Sequence, residues 1–396
     1  MESGTSLTSR GWKYLAAIFS LLAVFALAAC GSDDGDSSDT GGGDGAVAAG
    51  NAANEGSAAA SGEKLELPDG LTAGILHVQG NAQSDQLIGY ALTDALDALG
   101  VKYTERDPQG NPGKTATDLD SLIGRKPDVI FGISVEPATI QSQLRKMADR
   151  GIPFINVGGT IRESPLVALS PVPSDYAQGA LTAQYLLDWL GATNEDQPGT
   201  PAGDIATFGF DPIYSLQQRR QAMELMAGDA KEVNIVADHQ INFEDPEADI
   251  QNATQSIVQA NPDLKAIYAC CDFSLPPIVA GLRQAKALDR VKVFAVQLGT
   301  PAALDLVKDG SVAAVGNAAL GASSYMAVDE WAQATAENRD ICRDCWHKYE
   351  QMFAYDMVGK DNLDISYKLR PDFVIQKLVV DYPAFFSAKW KKEFGL

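Results

Sequence analysis

Short apolar runs alternate with amphipathic segments along most of this chain, and this alternation restricts its fold more than any other feature. The first run, "AGILHVQG" (73–80), reads as a buried strand. The next segment, "SDQLIGYALTDALDALG" (84–100), repeats leucine, isoleucine and alanine at helical spacing and ends in a glycine. The same cycle continues to "PFINVGG" (153–159). Repeated strand–helix units predict a parallel sheet that helices cover on both faces.

A second series of the same kind begins after "LSPVPSDY" (169–176) and runs to "VAAVGN" (312–317). Two series in one chain predict an α/β protein of two doubly wound parallel-sheet lobes, joined by a hinge and separated by a cleft. We expect the hinge crossings near Pro171 and Asn317. In sheets of this kind ligands bind beyond the carboxyl ends of the strands, so the candidate site residues are those that follow strands.

The N-terminus has the pattern of an export signal. Two basic residues precede an uncharged stretch of 16 residues (14–29) that ends in small residues. A membrane span needs about 20 residues, and a single N-terminal anchor is the alternative interpretation. The sequence "LAAC" (27–30) resembles a bacterial lipobox, which implies cleavage before Cys30 and lipidation of its thiol. We therefore expect residues 1–29 to be a lipoprotein signal peptide and the acyl chains to hold the protein on the outer, periplasmic side of the cell membrane.

Residues 30–64 are predicted to be the lipidated cysteine and a disordered linker. Between Gly31 and Gly62 the chain is mainly Gly, Ser, Ala, Asn and Asp, with six acids and no bases. Such a composition buries too little apolar surface to offset the entropy of ordering. The whole chain has 52 acidic and 31 basic residues and a net charge of −21. That charge argues against nucleic acid as a partner and against adhesion to anionic lipid head groups.

Three stretches of the globular part carry a family resemblance. They run from "SDQLIGY" (84–90) to "PFINVG" (153–158), over "SDYAQGALTAQYLLDWLG" (174–191), and from "FAVQLGT" (294–300) to "DEWA" (329–332). In this order they resemble the type I periplasmic binding proteins of the ribose/galactose-binding branch. The resemblance implies a receptor that closes on a small-molecule solute and docks onto an ABC transporter permease. We expect a monomer without a cofactor, a metal site or catalytic residues.

The resemblance also predicts how the lobes are assembled. In this family the chain crosses between the lobes three times, so each lobe is built from separate parts of the sequence. We expect a first lobe from residues 65–170 and 318–355, and a second lobe from residues 171–317 and 356–396. The aromatic residues of the final segment "DYPAFFSAKWKKEFGL" (381–396) have helical spacing, which predicts core packing against a lobe.

The family's ligand contacts lie at strand ends, and they are carried over to this chain position by position. Where sugar-binding members have an Asp-Arg pair, this chain has Gly158 and Gly159, which predicts a cleft with less charge and more room. The arginine expected after "FGF" falls near Gln217, with Arg219 close by, and the aspartate expected after "VFAV" is replaced at Gln297. Because hydrogen bonds to charged groups supply much of the selectivity for a polyol, we expect a glycoside or an aromatic-bearing polyol rather than a free hexose. The candidate ligand-binding residues are Asn81, Gln83, Asp85, Gly158, Gly159, Thr160, Phe210, Tyr214, Gln217, Cys271, Asp272, Phe273, Gln297 and Asn317.

Four cysteines besides that of the lipobox lie in the exported part, and an even number outside the cytoplasm favours disulfides. "CRDC" can close locally, so we expect a bond between Cys342 and Cys345. Cys270 and Cys271 are then either a vicinal disulfide at the cleft or two buried thiols. Adjacent cysteines do not suit the ligand spacing of a four-cysteine zinc site.

Two further functions use the same features. A sensor that presents its ligand to a membrane signalling partner would have the same fold and the same anchor. A thiol–disulfide oxidoreductase would use Cys342 and Cys345. The chain contains no GxSxG or HExxH motif, and hydrolase chemistry therefore has no visible nucleophile or base. We expect a binding protein and not an enzyme.

The lipobox is tested by Cys30→Ser. This variant should accumulate as an unlipidated precursor that is not cleaved between Ala29 and Cys30, because the thiol that accepts the lipid is gone. Palmitate labelling and the intact mass of the cell-bound protein measure both effects, and Ser32→Ala is the control. Normal processing and labelling of Cys30→Ser would contradict the assignment.

Overall fold

The computed structural model describes residues 64–297, 299–353, 355–371 and 373–396. The expected signal peptide, Cys30 and nearly all of the expected linker lie outside these residues. Within the described part, the strands form two separate parallel sheets and one small hairpin. Helices cover both faces of each parallel sheet, which confirms the predicted α/β fold of two doubly wound lobes.

The sheet of the first lobe has four parallel strands in the order β2-β1-β3-β4. Its strands and connecting helices are β1 (Thr72–Leu76), α1 (Gln83–Ala98), β2 (Lys102–Arg106), α2 (Pro112–Gly124), β3 (Val129–Ile133), α3 (Gln141–Ala148) and β4 (Phe154–Val157). All five residues of the central strand β3 are buried, as expected for a strand between two helical layers. The edge strand β2 is only half-buried, because helices and loops cover just part of it.

The sheet of the second lobe has six strands in the order β10-β9-β8-β7-β5-β6, all parallel except β10. Its elements are α4 (Asp175–Thr193), β5 (Ala202–Gly209), α5 (Tyr214–Asp229), β6 (Glu232–Gln240), α6 (Pro246–Ala260), β7 (Leu264–Ala269), α7 (Leu275–Gln284), β8 (Lys292–Ala295), α8 (Pro301–Asp309), β9 (Ala314–Asn317) and β10 (Asp356–Gly359). The helices α4 and α5 pack on one face of this sheet, and α6, α7 and α8 pack on the other.

The remaining elements return to the first lobe. After β9 the chain enters α9 (Ala322–Ala336), which packs against α1. The chain then crosses to β10 and returns to the first lobe, which makes four crossings between the lobes, whereas the family resemblance implied three. The last elements are the antiparallel strands β11 (Tyr367–Arg370) and β12 (Phe373–Ile375) and the helix α10 (Tyr382–Glu393). No helix in the described ranges combines the length and the apolar character needed to cross a membrane.

The C-terminal segment packs on the first lobe, so the assignment of residues 356–396 to the second lobe is wrong beyond β10. The rings of Tyr325 in α9 and Trp390 in α10 stack with their centroids 5.8 Å apart. The indole Nε1–H of Trp390 donates a hydrogen bond of 2.8 Å to Asp329 Oδ1. Helical spacing of aromatic residues shows that one face is buried, but it does not identify the surface that buries it.

The loop between Cys342 and Cys345 binds the segment in which the chain first passes from one lobe to the other. The Sγ atoms of Cys342 and Cys345 are 1.96 Å apart, which is a disulfide distance and agrees with the expected pair. Arg343, inside this loop, donates hydrogen bonds of 3.0 Å to Ser164 O and 2.6 Å to Val167 O. The loop therefore holds the backbone of the chain that leads from β4 to α4.

The packing of α10 is tested by Trp390→Ala. The side chain is 1% exposed, and its loss should lower the free energy of unfolding by about 3–5 kcal/mol, the usual cost of removing a buried aromatic residue. Phe385→Ala in the same helix is the matched control, because Phe385 is 41% exposed and should cost about 1 kcal/mol or less. Urea unfolding measures both values, and equal losses would contradict the packing described here.

Candidate functional site

The two lobes contact each other at the carboxyl ends of their strands. A Cβ atom built on Gly159, which follows β4, would lie 3.3 Å from Ser215 Cβ in the first turn of α5. On the other side, Leu87 of α1 reaches the loop after β8, where a Cβ on Gly299 would lie 2.9 Å from Leu87 Cδ2. The strand ends at which the sequence placed the ligand contacts therefore face each other across the lobe interface.

A buried ion pair organises this interface. Asp175 Oδ1 accepts a hydrogen bond of 2.7 Å from Arg219 Nε and lies 2.5 Å from Nη2, and the two side chains are 0% and 2% exposed. Asp175 Oδ2 accepts a bond of 2.7 Å from the backbone N–H of Thr160. Arg219 Nη1 donates to Cys270 O at 3.1 Å and to Gln297 Oε1 at 2.5 Å. The arginine that the family resemblance suggested as a ligand contact is thus engaged within the protein, as is Gln297.

The space beside Gly158 is filled by other side chains. This residue has φ = +106°, and a Cβ on it would lie 2.6 Å from Ser134 Oγ and 2.8 Å from Ile88 Cδ1. The expectation that the two glycines give the cleft more room is therefore wrong at this position. The expected loss of charge remains, since neither Ser134 nor Ile88 replaces the missing Asp-Arg pair.

Cys270 and Cys271 are free buried thiols in this structure, and the vicinal disulfide is not formed. Their Sγ atoms are 2.9 Å apart, beyond the length of a covalent S–S bond. Burial, and then the neighbouring Cys270, raise the pKa of the Cys271 thiol well above its ordinary value. The Cys271 thiol therefore stays protonated, and the two sulfurs form a weakly polar pair at the end of β7.

Asp272, which follows the two cysteines, has one unused carboxylate oxygen. Its Oδ2 accepts a hydrogen bond of 3.1 Å from the backbone N–H of Gly299. Its Oδ1 is buried and has no partner among the described residues. Burial raises the pKa of this carboxyl to about 6, against the opposing effect of its hydrogen bonds to Gly299 and Thr300. An unpaired buried carboxylate oxygen at a strand end is a ready hydrogen-bond partner for a solute.

Three phenylalanines line the strand ends of the second lobe. Phe210, Phe243 and Phe273 follow the adjacent strands β5, β6 and β7. The ring centroids of Phe210 and Phe243 are 4.1 Å apart, and those of Phe243 and Phe273 are 5.5 Å apart. We call these three residues the phenylalanine shelf. Sequence reasoning named Phe210 and Phe273 and missed Phe243, because "INF" (241–243) follows the polar residues "DHQ" (238–240) and is not among the positions that the family resemblance supplied.

The candidate ligand contacts of the loop after β1 differ in burial and in their hydrogen bonds. Asn81 and Gln83 are exposed at the start of α1. Asp85 is buried, and its Oδ1 lies 2.5 Å from His77 Nδ1. Its Oδ2 accepts hydrogen bonds of 3.1 Å from the backbone N–H groups of Val78 and Gln79. Asp85 therefore holds its own loop in shape, which corrects its assignment as a ligand contact.

The other candidates lie around the interface. Tyr214 begins α5 and has the guanidinium of Arg162 4.9 Å from its ring centroid. Gln217 is half-buried in the first turn of the same helix. Asn317 is buried at the end of β9, where it pairs with Asp356 of β10 and lines a cavity of about 10 Å³. Such a cavity has the size of about one water.

Comparison with known proteins agrees with this geometry. A family model described as "periplasmic binding protein domain" matches residues 73–337. The chain is 23% identical to the xylitol-binding protein of Mycolicibacterium smegmatis over 258 residues, which are 63% of this chain and 66% of that protein.

Solved structures share the fold. A solute-binding protein of Agrobacterium vitis bound to α-D-tagatopyranose has a TM-score of 0.64 and 18% identity, covering 78% of this chain and all of that one (100%). A solute-binding protein of Mycobacterium smegmatis with bound glycerol has a TM-score of 0.62 and 22% identity, covering 74% of this chain and 95% of that one. Because the family model matches more than half of the chain, this protein belongs to the periplasmic binding protein domain family.

Proposed function

We propose that this protein is an extracytoplasmic solute-binding lipoprotein that captures a sugar derivative between its lobes and delivers it to an ABC permease. The observation that carries the proposal is the pairing of the phenylalanine shelf with the unused oxygen of Asp272 at strand ends that meet the other lobe. Relatives with this fold bind tagatose and glycerol, and one is a xylitol-binding protein. The lipobox at Cys30 and the acidic linker support a tether that keeps the binding domain near the permease.

The composition of the interface supports a solute with both hydroxyl groups and an apolar face. Aromatic rings pack against the apolar C–H faces of such a solute, and each contact contributes beyond the area it buries. Asp272 Oδ1 accepts a hydrogen bond from a hydroxyl, and the exposed Asn81 and Gln83 offer neutral partners from the first lobe. Arg219 is not available, because Asp175 and Gln297 occupy its donors. A glycoside or an aromatic-bearing polyol matches this set better than a free hexose.

An enzymatic role receives less support from the geometry. Cys342 and Cys345 flank Arg343, which holds the first crossing between the lobes. This arrangement supports a structural function for the pair rather than turnover of thiols. Cys270 is fully buried, and burial raises the pKa of the Cys271 thiol, so neither cysteine suits a reactive thiolate.

Closure of the lobes on the solute is the first test of this function. The solute is found by a thermal-shift screen of the purified full chain against sugars, glycosides, polyols, amino acids and aromatic acids. Small-angle scattering should then show an ensemble that becomes more compact when the solute saturates the protein, because the interlobe crossings act as a hinge. Tight binding with an unchanged scattering profile would overturn the cleft assignment.

The phenylalanine shelf is tested by Phe273→Ala. Affinity for the identified solute should fall by about 1–3 kcal/mol, the scale of a lost buried aromatic contact. Isothermal titration calorimetry measures this loss. Phe385→Ala, which removes an exposed ring of α10 on the first lobe, is the matched control and should bind normally. Equal affinities for the two variants would place the site elsewhere.

A further inference from the structure

A second cavity lies on the outer side of the first lobe, between α1, the edge strand β2 and β11. Its volume is about 350 Å³, within the range of small-molecule pockets, which is about 300–1,000 Å³. Its polar walls include Glu105, Arg106 and Asp107 at the end of β2, with Arg370 of β11 opposite. No residue of the second lobe lines it, so it is distinct from the interlobe site.

The floor of this outer cavity is a buried histidine held between two carboxylates. His77 Nδ1 lies 2.5 Å from Asp85 Oδ1, and Nε2 lies 2.9 Å from Glu105 Oε2. Burial lowers the pKa of His77, but the two carboxylates outweigh it and raise the pKa to about 9. A Cβ on Gly89 of α1 would lie 2.8 Å from His77 Cε1, so only a glycine lets the helix approach this ring. The position of the ring is therefore fixed by hydrogen bonds on both of its nitrogens, and the cationic imidazole lies between two carboxylates.

The C-terminal segment supplies the opposite wall. The guanidinium of Arg370 lies 4.3 Å from the ring centroid of Tyr90, and its Nη2 donates hydrogen bonds of 2.8 Å to Thr93 Oγ1 and 2.8 Å to Asp94 Oδ1. Its Nε and Nη1 have no partner among the described residues. Arg370 comes after the last residue that the family model matches, Glu337. The wall thus lies outside the range that the family model matches.

Several hydrogen-bond donors and acceptors around the cavity have no protein partner among the described residues. Arg106 uses only Nη1, which donates 2.9 Å to Glu105 O, so Nε and Nη2 lack a described protein partner. Asp107 accepts bonds from Gly80 N and Gln109 N through Oδ1 alone, which leaves Oδ2, and Glu105 retains Oε1 beside His77. Cationic His77, Arg106 and Arg370 are matched by nearby carboxylates.

This lining indicates the chemistry of the ligand. A hydroxyl group both donates to a carboxylate and accepts from a guanidinium. A ligand with net charge would instead meet groups of its own sign as well, because the cations His77, Arg106 and Arg370 are interspersed with the carboxylates of Glu105 and Asp107. Tyr90 and Tyr103 add aromatic surface to the same walls. We propose that the outer cavity is a second binding site, specific for a neutral polyol and separate from the interlobe site.

The test is nuclear magnetic resonance of the full chain with nitrogen-labelled arginine, using xylitol as the probe. Xylitol at millimolar concentration should shift the Nε–H signals of Arg106 and Arg370 saturably. Arg370→Ala should weaken the response of Arg106 by about tenfold or more, and Arg106→Ala should weaken that of Arg370 equally. Arg125→Ala, an exposed arginine of the same lobe, is the control and should change neither response.

Three results would overturn the second site. One is the absence of a saturable shift at Arg106 and Arg370, and another is an unchanged response in both cavity variants. The third is a response to the zwitterion L-glutamine that xylitol does not produce, which would refute a polyol ligand. The signal of the buried Arg219 reports the interlobe cleft separately, so a shift there alone would support the proposed function while refuting this site.

Discussion

The ion pair between Asp175 and Arg219 is the interaction on which the cleft edge depends. Withdrawing two charges from water is costly, and removing one partner of a buried pair typically costs about 3–5 kcal/mol because the other is left uncompensated. Here the pair is also bonded to Thr160 N, Cys270 O and Gln297 Oε1, so it joins the first crossing to the ends of β7 and β8. The charges that hold the loops in position are consequently not free to hold a solute.

The fold could be predicted because its signal is repeated along the chain. Each apolar run and each amphipathic segment is a local pattern, and alternation of the two leaves few arrangements other than parallel sheets covered by helices. The tail shows where this reasoning stops. Trp390 was correctly expected to be buried, but burial against Tyr325 of α9 is a contact between distant segments, and no local pattern specifies it.

The sequence allowed us to predict where the candidate residues lie in the fold, but not which contacts their side chains make. Family positions placed Asp272 and Phe273 after a strand, and the structure has them after β7, since the order of elements determines which loops meet. The use of each side chain depends on neighbours from other elements. Asp85 binds backbone N–H groups of its own loop, and the gap at Gly158 is filled from α1 and from the end of β3. These outcomes follow from packing in three dimensions.

The phenylalanine shelf belongs entirely to the second lobe, and this has a kinetic consequence. Its three rings are held by their own contacts across adjacent strands, so they keep their arrangement whether the lobes are apart or together. A solute that stacks on these rings can therefore bind to a preformed surface of the second lobe before the first lobe closes over it. Under the proposed function, the association rate of the solute depends on the second lobe and its residence time on the first, so substitutions in the two lobes should alter different rate constants.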